Sequence, residues 1–262
     1  MVTGIETFRS FFKQHTANYV IIGGTACDII IEGNGFVPRA TRDIDMILVI
    51  EALTNEFVIQ FWEFIKTGNY AKREQSTEKR QYYRFMKPEN PDFPFQIELF
   101  SRNPDLLDLY EDAHLTPIPV GDNISSLSAI LMNDTYYTFL IDNSLIINEL
   151  HFANTQALIC TKAKAYLDIA ELLKQGIGSK KHLNKHKADV FRMALLLQED
   201  ETMELPNEIK ADLQNFIIDI KRLLPGNEMF KEMGVAGATS EAILPRIIDY
   251  FGLATEDTEI SQ

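Results

Sequence analysis

Asp43-Ile44-Asp45 heads an apolar run, Met46-Ile47-Leu48-Val49-Ile50. Alternate residues of a strand share a face, so this pattern predicts a strand with both carboxylates on one side. Ile44 and Met46 then pack on the other. Side-by-side carboxylates repel unless a cation or a positive group lies between them, and an acid buried without a partner is strongly disfavoured. The acids must therefore lie where a partner can reach them. Upstream, Tyr19-Val20-Ile21-Ile22 runs into Gly23-Gly24-Thr25. That reads as a strand ending at a tight turn, then a helix through Ile29-Ile30-Ile31 that stops near Gly33-Asn34-Gly35.

The rest of the chain frames these two segments. Apolar spacing predicts a short helix over 5–17 and another over 53–69, with Phe57, Phe61, Phe64 and Ile65 on one face. The segments 82–87 and 93–101, separated by the turn-rich Lys87-Pro88-Glu89-Asn90-Pro91-Asp92, read as adjacent antiparallel strands. Residues 1–110 are expected to form an α/β (α+β) domain, a small mixed sheet with flanking helices. Residues 111–262 are expected to be a mainly helical domain. It opens with an Asn or Ser cap in 122–141 and continues in helices over 155–176, 179–198 and 206–224. The acidic end, 255–262, is expected to fray.

No run of 18 apolar residues occurs and the first residues lack a signal-peptide pattern, so no membrane partner is expected. Cys27 and Cys160, each in apolar surroundings, read as buried thiols of a cytoplasmic protein. The net charge of -13 opposes coating of nucleic acid by bulk attraction. Sign is uneven, however: 158–192 holds eight Lys/Arg against three Asp/Glu, and 193–262 holds five against fourteen. A polyanion could still find a local positive surface.

A Mg²⁺ ion takes oxygen ligands and keeps room for waters and phosphates. Asp43 and Asp45 supply such oxygens, and Glu98, mid-strand in Gln96-Ile97-Glu98-Leu99-Phe100, is the candidate third acid. The structural alternatives are a turn cap for Asp43 and Asp45, and pairing of Glu98 with Arg80, Arg84 or Arg102. Gly23 and Gly24, at a strand-to-helix junction, expose backbone N–H groups suited to phosphate, and Thr25 can add a hydroxyl. The segment is neither the dinucleotide-binding glycine fingerprint nor a Walker A loop.

Gly23-Gly24-Thr25-Ala26-Cys27-Asp28-Ile29 followed by Arg39-Ala40-Thr41-Arg42-Asp43-Ile44-Asp45-Met46 resembles the nucleotidyltransferase superfamily, in particular its AbiEii toxin-like branch. The resemblance implies a metal-dependent nucleotidyltransferase that moves a nucleoside monophosphate from a nucleoside triphosphate to a hydroxyl acceptor, using Mg²⁺ or Mn²⁺. Asp43, Asp45 and Glu98 become the catalytic and metal-binding acids. Gly23, Gly24 and Thr25 seat phosphates, and Arg39 and Thr41 match residues preceding the acidic pair in that branch. A looser match over 156–197 adds Lys162 and Lys187 as nucleotide-binding cations and places Asp189 nearby. The acceptor stays open between RNA or tRNA, a protein and a small molecule, and an antitoxin partner is implied. Two alternatives stand beside this: a catalytically inactive nucleotide- or protein-binding member of the fold, and a toxin–antitoxin-like interaction protein binding through 139–158 and the acidic C-terminal stretch. His182 and His186, four apart amid lysines, are expected to be surface histidines.

Overall fold

The computed structural model describes residues 2–75, 81–101, 116–117 and 133–254. The readings of Arg80, Arg102, the start of the 122–141 segment and 255–262 lie outside those residues. The chain divides into two compact units, Met1–Asn34 with Pro38–Asn154, and Gly35–Val37 with Thr155–Gln262.

The first unit is built on a mixed sheet. In chain order it comprises α1 (Ile5–Phe12), β1 (Tyr19–Ile22), α2 (Gly23–Gly33), β2 (Asp43–Leu48), α3 (Asn55–Gly68), β3 (Tyr70–Gln75), β4 (Gln81–Pro88), β5 (Gln96–Ser101), β6 (Thr116–Pro117), α4 (Asp134–Asp142), β7 (Ser144–Ile147) and β8 (Leu150–Ala153). The strand order is β6-β3-β4-β5-β2-β1-β8-β7. β2 lies between β1, antiparallel to it, and β5, parallel to it, while β4 is antiparallel to β5 as expected. A sheet with flanking helices, followed in the chain by a helical unit, is the expected fold class.

Aromatic side chains fill one layer. Phe8 and Phe12 of α1 pack with tilted rings at 4.6 Å between centroids, and Phe64 of α3 meets Phe93 at 4.8 Å. Phe57, Phe61, Phe64 and Ile65 are all fully buried, so the spacing that predicted α3 also defines its core face. Thr54 caps that helix by accepting the Phe57 N–H at 3.2 Å, and Asn69 ends it in the left-handed conformation.

Three features differ from the expectation. β3 is a strand not read from the sequence, because Tyr-Ala-Lys-Arg-Glu-Gln has no apolar alternation. The first unit extends to Asn154, beyond the expected division at 110/111, because β8 pairs in parallel with β1 and brings the β7–β8 hairpin into the sheet. Finally, α2 begins at the glycine pair itself, with no separate turn before it.

The second unit contains α5 (Thr155–Lys174), α6 (Lys180–Ala194), α7 (Asn207–Ile220), α8 (Glu228–Glu232) and α9 (Ser240–Tyr250). Its apolar core includes Val190, Phe191, Ile209, Phe216 and Ile247. Within it the buried Asp189 holds two cations, Lys162 Nζ at 3.4 Å and Arg192 Nη1 at 3.3 Å. Cys27 in the first unit and Cys160 in the second are both buried thiols, and burial pushes the Cys160 pKa up.

Candidate acidic site at the head of strand β2

Register brings the acids together. Asp45 stands opposite Glu98 in the parallel β2–β5 pair, and Asp43 stands opposite Gln96. Directly opposed residues share a face across strands about 4.8 Å apart, so Asp43, Asp45 and Glu98 occupy one face of the sheet. Ile44 and Met46 are fully buried on the other face, while Asp43 and Asp45 are partly exposed.

Glu98 carries its own partners. Its Oε1 accepts from Arg84 Nε at 3.1 Å and from Gln96 Nε2 at 2.9 Å, and the side chain is 9% exposed. Arg84 is opposite Glu98 on β4, so the row Asp45, Glu98, Arg84 runs across three neighbouring strands as acid, acid, base. Among the described residues no group of three or more His, Cys, Asp or Glu side chains converges to hold a metal ion. Arg84 and Gln96 both bind the Glu98 Oε1.

The glycine pair packs directly on this row. Gly23 has φ +71, and a Cβ there would stand 2.2 Å from Asp45 Oδ2. Both the backbone conformation and the carboxylate require glycine. A Cβ at Gly24 would stand 3.2 Å from Thr41 Oγ1 and 3.5 Å from an Arg39 guanidinium nitrogen. The first turn of α2 is therefore covered by the Asp45 carboxylate on one side and the Arg39 guanidinium on the other. Thr25, expected to hold its hydroxyl out to phosphate, is fully buried and donates to the Asp43 carbonyl, tying α2 to the head of β2.

One residue at the site was missed from the sequence. Asp28, fully buried on α2, accepts the Arg39 N–H at 3.3 Å through Oδ1 and the Thr41 N–H at 2.7 Å through Oδ2. Ala40 between them has φ 59, a left-handed conformation that an alanine rarely adopts. A single carboxylate thus folds the segment that leads into β2. The signal was present: a lone acid inside Ala26-Cys27-Asp28-Ile29-Ile30-Ile31 needs a buried partner.

The residues expected from the helical half are engaged within the second unit. Lys162, 2% exposed, pairs with Asp189, and Lys187 donates to the Leu223 carbonyl at 2.8 Å. His182 is exposed as expected, but the expectation for His186 is corrected. It is buried, with an Nδ1 that has no hydrogen-bond partner among the described residues. The cause is its position on α6, one turn before Val190 on the core face. Burial, with Lys162 nearby, pushes its pKa down to about 3. No helix among the described residues is long and apolar enough to cross a membrane.

No family model matches the sequence, and no curated protein matches it significantly. Among solved structures, an antigenic nucleotidyltransferase-like protein from Paracoccidioides brasiliensis is 15% identical, with 88% of this chain and 99% of that one covered, at a TM-score of 0.40. The Cid1 poly(U) polymerase is 10% identical over 81% of this chain and 63% of its own, at 0.29. A Cid1 mutant bound to MgATP is 10% identical over 82% and 65%, at 0.31. With TM-scores below 0.5, these likenesses carry no weight for activity.

Proposed function

We propose that this protein is a divalent-cation-dependent nucleotidyltransferase of the AbiEii toxin-like kind, moving a nucleoside monophosphate from a nucleoside triphosphate to a hydroxyl acceptor. The observation that carries the reading is the shared face of Asp43, Asp45 and Glu98, with the Gly23 backbone against Asp45. Asp43 and Asp45 offer an all-oxygen donor set that fits a hard cation such as Mg²⁺ or Mn²⁺. Glu98 joins them when its carboxylate exchanges the Arg84 contact. When bound, the cations supply charge neutralisation at the attacking and leaving oxygens.

The chain's own residues do the rest. Arg39, whose guanidinium lies over Gly24 at the positive end of α2, attracts the triphosphate, while the buried Gly23 and Gly24 let Asp45 and Arg39 pack close against that first turn. Asp28 holds Arg39 in place through the backbone. The acceptor oxygen forms a bond to the α-phosphorus, the bond to the bridging oxygen breaks, and pyrophosphate leaves. Glu98 takes the proton of the acceptor hydroxyl. Thr25, Lys162 and Lys187 have no assigned step here, since each has a partner within its own unit. The cytoplasm, where buried thiols such as Cys27 and Cys160 stay reduced, is the proposed location, and an antitoxin partner rests on the resemblance alone.

The test is calorimetric binding of each nucleoside triphosphate with Mg²⁺, paired with label transfer to RNA, protein and small-molecule acceptors. Asp43→Asn and Asp45→Asn should abolish transfer, by far more than the 10–100-fold that follows loss of an outer partner. Full transfer by Asp43→Asn would refute the metal mechanism. One observation favours a second reading, an inactive nucleotide-binding member: the Glu98 carboxylate is held by Arg84. That reading expects Mg²⁺-dependent nucleotide binding without turnover toward any acceptor. Absence of nucleotide binding altogether leaves a protein-interaction role.

A further inference from the structure

The β7–β8 hairpin sets a hydroxyl against an imidazole at one end of the sheet. Ser144 opens β7, and its Oγ lies 2.7 Å from Nε2 of His151 on β8. The other ring nitrogen, Nδ1, lies 2.7 Å from the Thr16 carbonyl oxygen in the 3₁₀ turn before β1. A carbonyl only accepts, so Nδ1 carries the proton toward Thr16. Burial holds the ring below its usual pKa of 6.5, outweighing the backbone contacts of Thr16 and Tyr19 that raise it. In a neutral ring so fixed, Nε2 is a bare lone pair aimed at the serine. Ser144 Oγ also lies 2.7 Å from the Ile141 carbonyl oxygen. Its single proton turns between the two acceptors by rotation about the Cβ–Oγ bond, with no heavy atom moving.

We propose that Ser144 is a nucleophile activated by His151, and that it takes the acyl group of an uncharged ester with an apolar chain. Hydroxyl, base and orienting acceptor follow one another within hydrogen-bond reach, as an activated nucleophile requires. The pair is accessible: both residues are partly exposed, and β7 is the outermost strand among the described residues. Ile146 shares the Ser144 face, stands opposite His151 and is 57% exposed, which gives an apolar chain a side chain to lie against. Ser144 Oγ bonds to the ester carbonyl carbon and the ester C–O bond breaks. The hydroxyl proton passes to Nε2 and from there to the departing oxygen. The same heavy atoms would suit a doubly protonated ring that donates to Ser144 while Ser144 donates to Ile141, an arrangement that clips the hairpin but accepts no proton. The pair lies three strands from β2 and stands independently of the transferase reading.

The test is p-nitrophenyl acetate, butyrate and octanoate with the full chain, following acylation by intact mass and locating it by peptide mass spectrometry. Acylation should fall on Ser144, run faster with the longer chains and be indifferent to EDTA. Its rate should rise with pH through a midpoint below 6.5 and then level off, as the ring loses its second proton. Ser144→Ala should remove the label. His151→Gln keeps a hydrogen-bonding side chain but accepts no proton, and should slow acylation roughly 100-fold or more. Ile146→Asn should erase the preference for longer chains. Should His151→Gln unfold the chain by circular dichroism, the pH profile of the unmutated protein decides. Acylation of lysines alone, a label undiminished in Ser144→Ala, an unchanged rate in folded His151→Gln, or a Ser144 rate indifferent to pH would overturn the proposal.

Discussion

Gly23 and Asp45 set the tolerance of the site to change. Gly23→Ala should lose stability on two counts, the left-handed backbone at about 1–2 kcal/mol and the 2.2 Å approach to Asp45 Oδ2. Chemical denaturation of Gly23→Ala in an Asp45→Ala background should recover most of the second part, because the contacting carboxylate is gone, and retain the first. Asp28→Asn keeps one acceptor oxygen where two N–H groups now bond. It should therefore destabilise by about 1–3 kcal/mol, read from the urea midpoint. The acids and the glycine pair were legible from sequence because a strand's period and a glycine's freedom are local properties. The partner of Asp28 was not, since its acceptors bond backbone N–H groups that any sequence provides.

At the scale of elements, α6 carries a titratable weakness. His186 has a folded pKa near 3, below the usual value of 6.5. The unfolded chain therefore binds a proton that the folded chain refuses between those values, so stability falls as pH drops through that window. The slope should approach about 1.4 kcal/mol per pH unit, and His186→Leu should flatten it in thermal denaturation at stepped pH. Lys162, Lys185, His182 and Asp189 all act on that ring, the first three against protonation and the last for it. The β7–β8 hairpin has a different exposure. Leu145, Ile146 and Ile147 are 45%, 57% and 50% exposed on the outermost strand, without the charges or prolines that usually guard an edge. Ile146→Lys should raise the concentration at which light scattering detects association and leave the melting temperature within a few degrees. Sequence concealed this hairpin because its turn, Asn148-Glu149, has φ 50 and 62 without a glycine to announce it. It concealed β3 because Tyr70 and Ala71 are followed by the unbroken polar run Lys72-Arg73-Glu74-Gln75, with no apolar alternation.

Across the whole molecule, composition describes the protein poorly: a net charge of -13 coexists with a stretch, 172–188, that has no acid at all. The helical texture after 155 was legible by period alone, whereas the boundary at Asn154 depends on a long-range strand pairing that no local pattern encodes. That kind of pairing also orders how the acidic face comes into being. β1 and β2 are neighbours joined through α2, so Asp45 reaches Gly23 by closing a short stretch of chain. β2 and β5 are parallel, and their connection is everything from 49 to 95, including α3, β3 and β4. The entropy of closing that longer loop makes Glu98 the later arrival. In kinetic terms, Gly23→Ala should slow refolding, whereas Arg84→Ala should chiefly hasten unfolding. The aspartates thus sit on the pairing that closes the short loop, and the glutamate on the one that closes the long loop.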